Sequence, residues 1–264
     1  LQQLKRLGAS CDWSRVKFTM DDDMSESVIS AFVDLYRSGF IYRGQKMINW
    51  DPKAKTAISD EEVIYKEQDS NLYYIKYKLV DSDEFVTVAT TRPETILGDT
   101  AICVHPSDPR YDNMIGKKAL VPLINRSIPI ITDEYIDPEF GTGALKVTPA
   151  HDINDFLIGE KNKLATISIL DEDGRMNENA ELYIGEDRFL VRKKIIKDIK
   201  DINQLDKIES IKNKVGFSER TDVVIEPMLS TQWFMKMEKL AKPALDNVLN
   251  GEINFYPKKL KNTY

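Results

Sequence analysis

Lys146, Thr148, Asp152 and Asp155 fall close together in GTGALKVTPAHDINDF, Gly141 to Phe156. A cation, a hydroxyl and two carboxylates are groups that can hold a small polar ligand and orient a water beside it. On a strand, Lys146 and Thr148 are two apart and share a face. Pro149 cannot continue a ladder but suits the first turn of a helix. Asp152 and Asp155 then stand i and i+3 near that helix's start, on one side. A second junction has the same design. FVTVATT reads as a strand, Arg92 follows, and PETILGD opens with a proline at a helix start, so Arg92 and Thr95 sit near another helix N-terminus. The two corners can converge on one ligand. Thr148 as an N-cap, with both aspartates stabilised by the helix dipole, explains the same residues without one. Spacing leaves both readings open and names no ligand.

Other chemistries fit less well. A dinucleotide fingerprint needs a third glycine where Lys146 stands, and no glycine-lysine-hydroxyl run follows for a P-loop. The pair Gly141 and Gly143 more simply shapes a tight approach to the strand ALKVT. His151 and Asp152 are adjacent, so on a helix their side chains diverge, and His151 is expected to face away from the site. His105, in CVHPSD, reads as a turn residue, and neither histidine has a metal-ligand partner at useful spacing. SILDEDGRM resembles the nucleophile loop of aspartate-dependent phosphotransferases, which would make Asp171 a magnesium-dependent nucleophile. Arg175 stands where that pattern carries a hydroxyl, and Asp-Gly favours a hairpin turn.

The elements that must position these groups are mixed. Asp21 to Gly39 has an acidic start, Val28, Phe32 and Leu35 at helical spacing, and a glycine stop. From Asn71, β-type runs follow one another: LYYIKYKLV, FVTVATTR, TAICVHP, KALVPL, IPIITD, ALKVT and ATISIL. A basic helix is expected from Asp187, with Phe189, Ile195, Ile196 and Ile199 available for burial. Trp233, Met237 and Leu240 form a later helical stripe that ends at Gly251. The fold class is α+β, a β-barrel-like core with surrounding helices. Residues 55–220 form the central domain, between an entering segment, 1–54, and a returning segment, 221–264.

The 264 residues are 42% hydrophobic and 30% charged, as in a soluble globular protein. No run is long and apolar enough to span a bilayer. A net charge of −6 argues against a protein that coats nucleic acid non-specifically. The two cysteines, Cys11 and Cys103, suggest neither a disulfide framework nor a zinc site, and point to the reducing cytoplasm. The start, LQQLKRLGAS, lacks an initiator methionine, and YPKKLKNTY stops abruptly, as in a piece of a longer chain.

TTRPETILGDTAICVHP together with GTGALKVTPAHDINDF resembles the editing domain of the valyl-tRNA synthetases. Isoleucyl and leucyl relatives tend toward TTxPWT or TTRPDT in the first motif and PGHG or PGHD in the second. The resemblance extends through QLKRLGASCDWSR and FTMDDDMSESVISAFVDLYRSGFIYRG to SERTDVVIEPMLSTQWFMKM. It implies a barrel-like editing fold that hydrolyses threonine wrongly attached to valine tRNA, possessing no cofactor and acting as a monomer with the rest of the synthetase chain. By position, Asp152 holds the α-ammonium group and Asp155 accepts a hydrogen bond from the threonine hydroxyl. Lys146, Thr148, Arg92 and Thr95 position the ester and terminal adenosine, and Lys146 or Arg92 stabilises the oxyanion. Arg188, Arg192, Lys193, Lys194 and Lys197 are either tRNA contacts or a solvated helix face. Where some members carry a Cys-Pro-x-Cys zinc knuckle, NWDPKA has Asp51 and Ala54, so no zinc is expected. The ATP-site signatures of the catalytic core are absent, so this segment is expected neither to activate valine nor to use ATP. Alternatives are the isoleucyl or leucyl branch, or a tRNA-binding module without activity.

Overall fold

The computed structural model describes residues 1–263. The described residues divide into two compact units, residues 1–45 with 231–263, and residues 46–230. The chain runs through helices α1 (Gln2–Arg6) and α2 (Asp22–Arg37) and strands β1 (Ile41–Asp51) to β4 (Phe85–Thr90), with β2 at Thr56–Ile58 and β3 at Val63–Leu79. β5 (Ala101–Val104), β6 (Lys118–Leu120), β7 (Ser127–Thr132) and β8 (Ala144–Val147) lead to α3 (Ile153–Asn162) and α4 (Arg188–Asp201). β9 (Leu205–Ser218), β10 (Glu226–Met235) and α5 (Glu238–Leu249) follow.

Seven strands form the main sheet, in the order β4-β3-β6-β7-β5-β8, with β9 paired to β3. β5 and β7 are parallel, and the other pairs are antiparallel. β3 is long enough to serve several partners. Its first part pairs with β9 from Val63↔Ser218 onward, and its second part pairs with β4 through Tyr73↔Thr90 to Lys78↔Phe85. Alternation along β3 and β4 sends Ile75, Tyr77, Leu79, Val86 and Val88 into one core, where α4 contributes Val191, Ile195 and Ile199. β5 is buried on both faces. Ile102 and Val104 enter that core, while Ala101 and Cys103 join Val147 and Ile158 in a second, smaller one that seats α3.

The expected barrel-like closure is not there. The sheet curls until its two ends, β4 and β8, lie side by side, but no ladder joins them among the described residues. Gly141 and Gly143 lead into β8 with φ of 61° and 75°. A side chain at Gly141 would meet the Ala89 Cβ of β4 at 2.8 Å, and one at Gly143 would meet the Pro138 carbonyl oxygen at 2.9 Å. Both the conformation and the space therefore require glycine. Gly143→Ala is expected to cost about 2 kcal/mol, read as a lower urea midpoint at unchanged slope. A midpoint equal to wild type would count against this packing.

Three further expectations change. α2 forms, but Val28 and Phe32 stay exposed and nothing on the helix is buried. Trp233 lies on strand β10 rather than on a helical stripe, and α5 starts only at Glu238. The β-type run STQWFM pairs with β1, and the Trp233 ring packs edge-on against Phe32 at 5.3 Å and Tyr36 at 5.9 Å. α4 buries Val191, Ile195 and Ile199, whereas Phe189 is exposed. SILDEDGRM is the expected hairpin turn, closed by the bridge Leu170↔Met176. The Asp171 carboxylate accepts from the amides of Asp173 and Arg175, both at 2.9 Å. Asp51 acts in a similar structural way. Its carboxylate accepts from the Lys53 and Ala54 amides and the Thr221 hydroxyl, pinning the NWDPKA turn.

Candidate functional site

Where β4 and β8 fail to join, a cleft of about 620 Å³ opens, lined by Arg92, Thr95, Lys146, Thr148, Asp152 and Asp155. All six residues singled out at the two strand-to-helix corners therefore meet in one place. The first corner is as expected: Arg92 caps a 3-10 helix, Pro93–Gly98, and the Thr95 hydroxyl donates back to the Arg92 carbonyl at 2.9 Å. The second differs. Pro149 opens a turn, with the His151 amide donating to the Thr148 carbonyl at 3.0 Å, and α3 begins only after Asp152. Asp152, not Thr148, is the N-cap, accepting from the amides of Asn154 at 2.8 Å and Asp155 at 3.2 Å.

Lys146 and Thr148 do share a face, and what holds them is Asp99, which the motifs contain but spacing did not single out. Asp99 is fully buried. Its Oδ1 accepts from Lys146 Nζ at 3.1 Å and from the Thr148 hydroxyl at 2.6 Å, and its Oδ2 accepts from the Tyr77 hydroxyl at 2.6 Å. Lys146 also donates to Thr148 Oγ1. A buried ammonium is tolerated because it is paired and hydrogen-bonded in this way. Burial raises the Asp99 pKa, and the neighbouring Lys146 charge opposes that rise. A charged residue inside the apolar run ILGDTAICV was the available signal for it.

Asp155, also buried, accepts from the Thr148 amide through Oδ2 at 2.8 Å. Burial pushes its pKa up to about 7, against the pull of Lys146. The two aspartates thus differ: Asp152 is exposed and Asp155 lies deep in the cleft.

Arg92 is not a free cation. Its Nε donates to Glu94 at 3.3 Å, its Nη1 to the His151 carbonyl at 2.9 Å, and its Nη2 to Glu226. Glu94 and Glu226 are both buried. Arg192 grips Glu94 through two hydrogen bonds, at 2.8 and 2.6 Å, and Arg188 Nε lies 3.3 Å from Glu226. Burial pushes the Glu226 pKa up, but Arg92, His151 and Arg188 bring it down to about 2. Arg188 is therefore buried and Arg192 is committed to a carboxylate, which removes both from the expected basic face. Lys193, Lys194 and Lys197 are exposed, with Lys194 paired to Glu186.

His151, expected to face away, is buried in this network. Its Nε2 accepts from the Ile169 amide at 2.9 Å, so the neutral ring carries its proton on Nδ1, 3.7 Å from Glu226 Oε1. Burial lowers its pKa. His105 is a turn residue, its Nδ1 accepting from the Ser107 amide.

Chemically, the cleft offers an exposed carboxylate, a buried carboxylate that titrates near neutrality, and a buried ammonium with two threonine hydroxyls. It can bind a cationic ligand, accept a hydrogen bond deep inside, and stabilise negative charge as it develops. Among the described residues no cluster of three His, Cys, Asp or Glu could hold a metal ion, and no helix is long and apolar enough to cross a membrane.

Residues 1–264 match the family described as tRNA synthetases class I (I, L, M and V). The valine–tRNA ligase of Parabacteroides distasonis is 60% identical over 264 residues, covering 100% of this chain and 30% of that protein. That of Thermotoga maritima is 53% identical over 263 residues, again covering 30% of the relative. The chain thus spans about 30% of the length of these curated relatives. A solved Agrobacterium radiobacter LeuRS complex with tRNA and LeuAMS aligns with a TM-score of 0.44 at 18% identity, covering 81% of this chain and 35% of that one.

Proposed function

This chain belongs to the class I tRNA synthetases of the I, L, M and V group, and we propose that its central part, residues 55–220, is an editing unit that hydrolyses threonine wrongly esterified to valine tRNA. The observation that carries the reading is the meeting of Lys146, Thr148, Asp152, Asp155, Arg92 and Thr95 in one cleft. In it, Asp152 anchors the α-ammonium group from the exposed side, and Asp155 accepts the hydroxyl's hydrogen bond from within.

Threonine and valine are nearly isosteric, so a pocket built for valine cannot strongly exclude threonine. A second site that requires the hydroxyl can. A hydrogen bond to an ionised Asp155 contributes about 1.5–3 kcal/mol, whereas valine offers a methyl group and leaves the buried charge unpaired. The ester is already activated, and attack by a positioned water needs mainly orientation. Lys146 stabilises the developing oxyanion. Arg92, with each of its three nitrogens already donating, shapes the cleft by joining Glu94, Glu226 and the His151 carbonyl.

The test is deacylation by the full-length protein that carries this chain, using threonyl- and valyl-tRNA for valine, with and without chelator. Selective, chelator-resistant loss of threonine is expected. Equal hydrolysis of both esters would remove Asp155 as the discriminator.

A further inference from the structure

The charges around the cleft suit one end of its proposed ligand and oppose the other. Lys146 is neutralised by Asp99, and Arg92 by Glu94 and Glu226. Asp137, Asp152 and Asp155 line the same cleft. That surface attracts an ammonium group but repels the phosphodiesters that accompany any aminoacyl ester of RNA. The β9 residues at 211–213 form part of the cleft wall, and Lys212 among them is exposed. Asp69 stands opposite Lys212 in the β3–β9 ladder. Even so, among the described residues Lys212 has neither an ion pair nor a side-chain hydrogen bond. Every other cation on the cleft wall is committed to a carboxylate.

We propose that Lys212 is a phosphodiester-binding subsite at the mouth of the cleft, holding the backbone of the RNA strand whose 3′ ester enters it. This rests on the hydrolytic reading above. A single ammonium that neutralises one phosphate of a single strand contributes a salt dependence of about 0.7 in the slope of log K against log salt. It adds nothing to an ester that carries no phosphate.

The experiment compares two threonine esters in the full-length protein: one of a short oligoribonucleotide ending in CCA, and one of adenosine alone. With Lys212→Ala, kcat/KM on the oligonucleotide ester is expected to fall about five- to tenfold, with a salt slope shallower by about 0.7. Hydrolysis of threonyl-adenosine stays at the wild-type rate, and Lys212→Arg retains activity on both. An unchanged oligonucleotide rate overturns the proposal. So does an equal loss on both esters, which would place Lys212 in the ester chemistry or the fold. If the wild-type protein hydrolyses neither ester, the editing reading fails by itself. Lys212 is then judged by fluorescence anisotropy with the unacylated oligonucleotide, where the difference in salt slope between wild type and Lys212→Ala must persist.

Discussion

Replacing Lys146 with methionine is expected to destabilise the protein by about 3–5 kcal/mol and to slow threonine ester hydrolysis about 10²–10³-fold. The first effect follows from what stays behind. Asp99 is fully buried, and without the ammonium its charge keeps only the Tyr77 and Thr148 hydroxyls. The second follows from losing the cation beside the reacting ester. The two effects separate in the double variant Lys146→Met with Asp99→Asn. Removing both charges leaves nothing unpaired, so the urea midpoint should return most of the way to wild type while hydrolysis stays low. A single variant as stable as wild type would mean that Asp99 does not depend on Lys146. A double variant that regains hydrolysis would remove Lys146 from the chemistry.

Asp155→Asn is expected to lower the preference for threonine over valine about tenfold, a change of about 1.4 kcal/mol, while making the protein more stable above neutral pH. The Asp155 pKa is about 7 in the fold against an ordinary 3.8, so the folded protein holds that proton more tightly than the unfolded chain does. The resulting stabilisation is fully present below the ordinary value and is lost as pH rises through about 7. Asparagine carries no charge to bury and can still accept from the Thr148 amide. The gain in melting temperature over wild type should therefore grow between pH 5 and pH 8. Over the same range, wild-type hydrolysis of threonyl-tRNA should rise as Asp155 ionises, and the variant should lack that limb. A wild-type profile flat across pH 6–8, with no pH-dependent difference in melting, would show that Asp155 does not titrate there.

The six cleft residues were legible because each corner is a short contiguous segment whose spacing nearly determines where its side chains stand. Their neutralising partners were not, since those come from elsewhere in the chain. Nothing near TTRPET indicates that Glu226, on β10, takes the Arg92 guanidinium, or that Arg188 and Arg192 turn inward from α4 to meet Glu226 and Glu94. A run of basic residues looks the same in sequence whether its carboxylates lie across a core or its face meets water. His151 illustrates the same limit, because its direction depends on the Ile169 amide. The strand content was readable from alternation, but the open sheet was not, because closure depends on whether two end strands find each other's register. Trp233 was misplaced because apolar residues in a short aromatic run suit either period, and pairing with β1 decides between them.

The pairing of Val63 with Ser218 also matters while the protein is being made. On the ribosome, β3 emerges about 150 residues before the far end of β9, a delay of roughly 8 to 30 seconds at ordinary elongation rates. Through that interval the first half of β3 is a bare edge, open to any other nascent strand. Beyond Val63, Ile64 and Tyr65 its sequence there, KEQDSN, is polar and charged, and Lys66 to Asp69 remain exposed even in the finished fold. The residues that contribute least to the core are thus the ones that keep this edge unoccupied until β9 emerges.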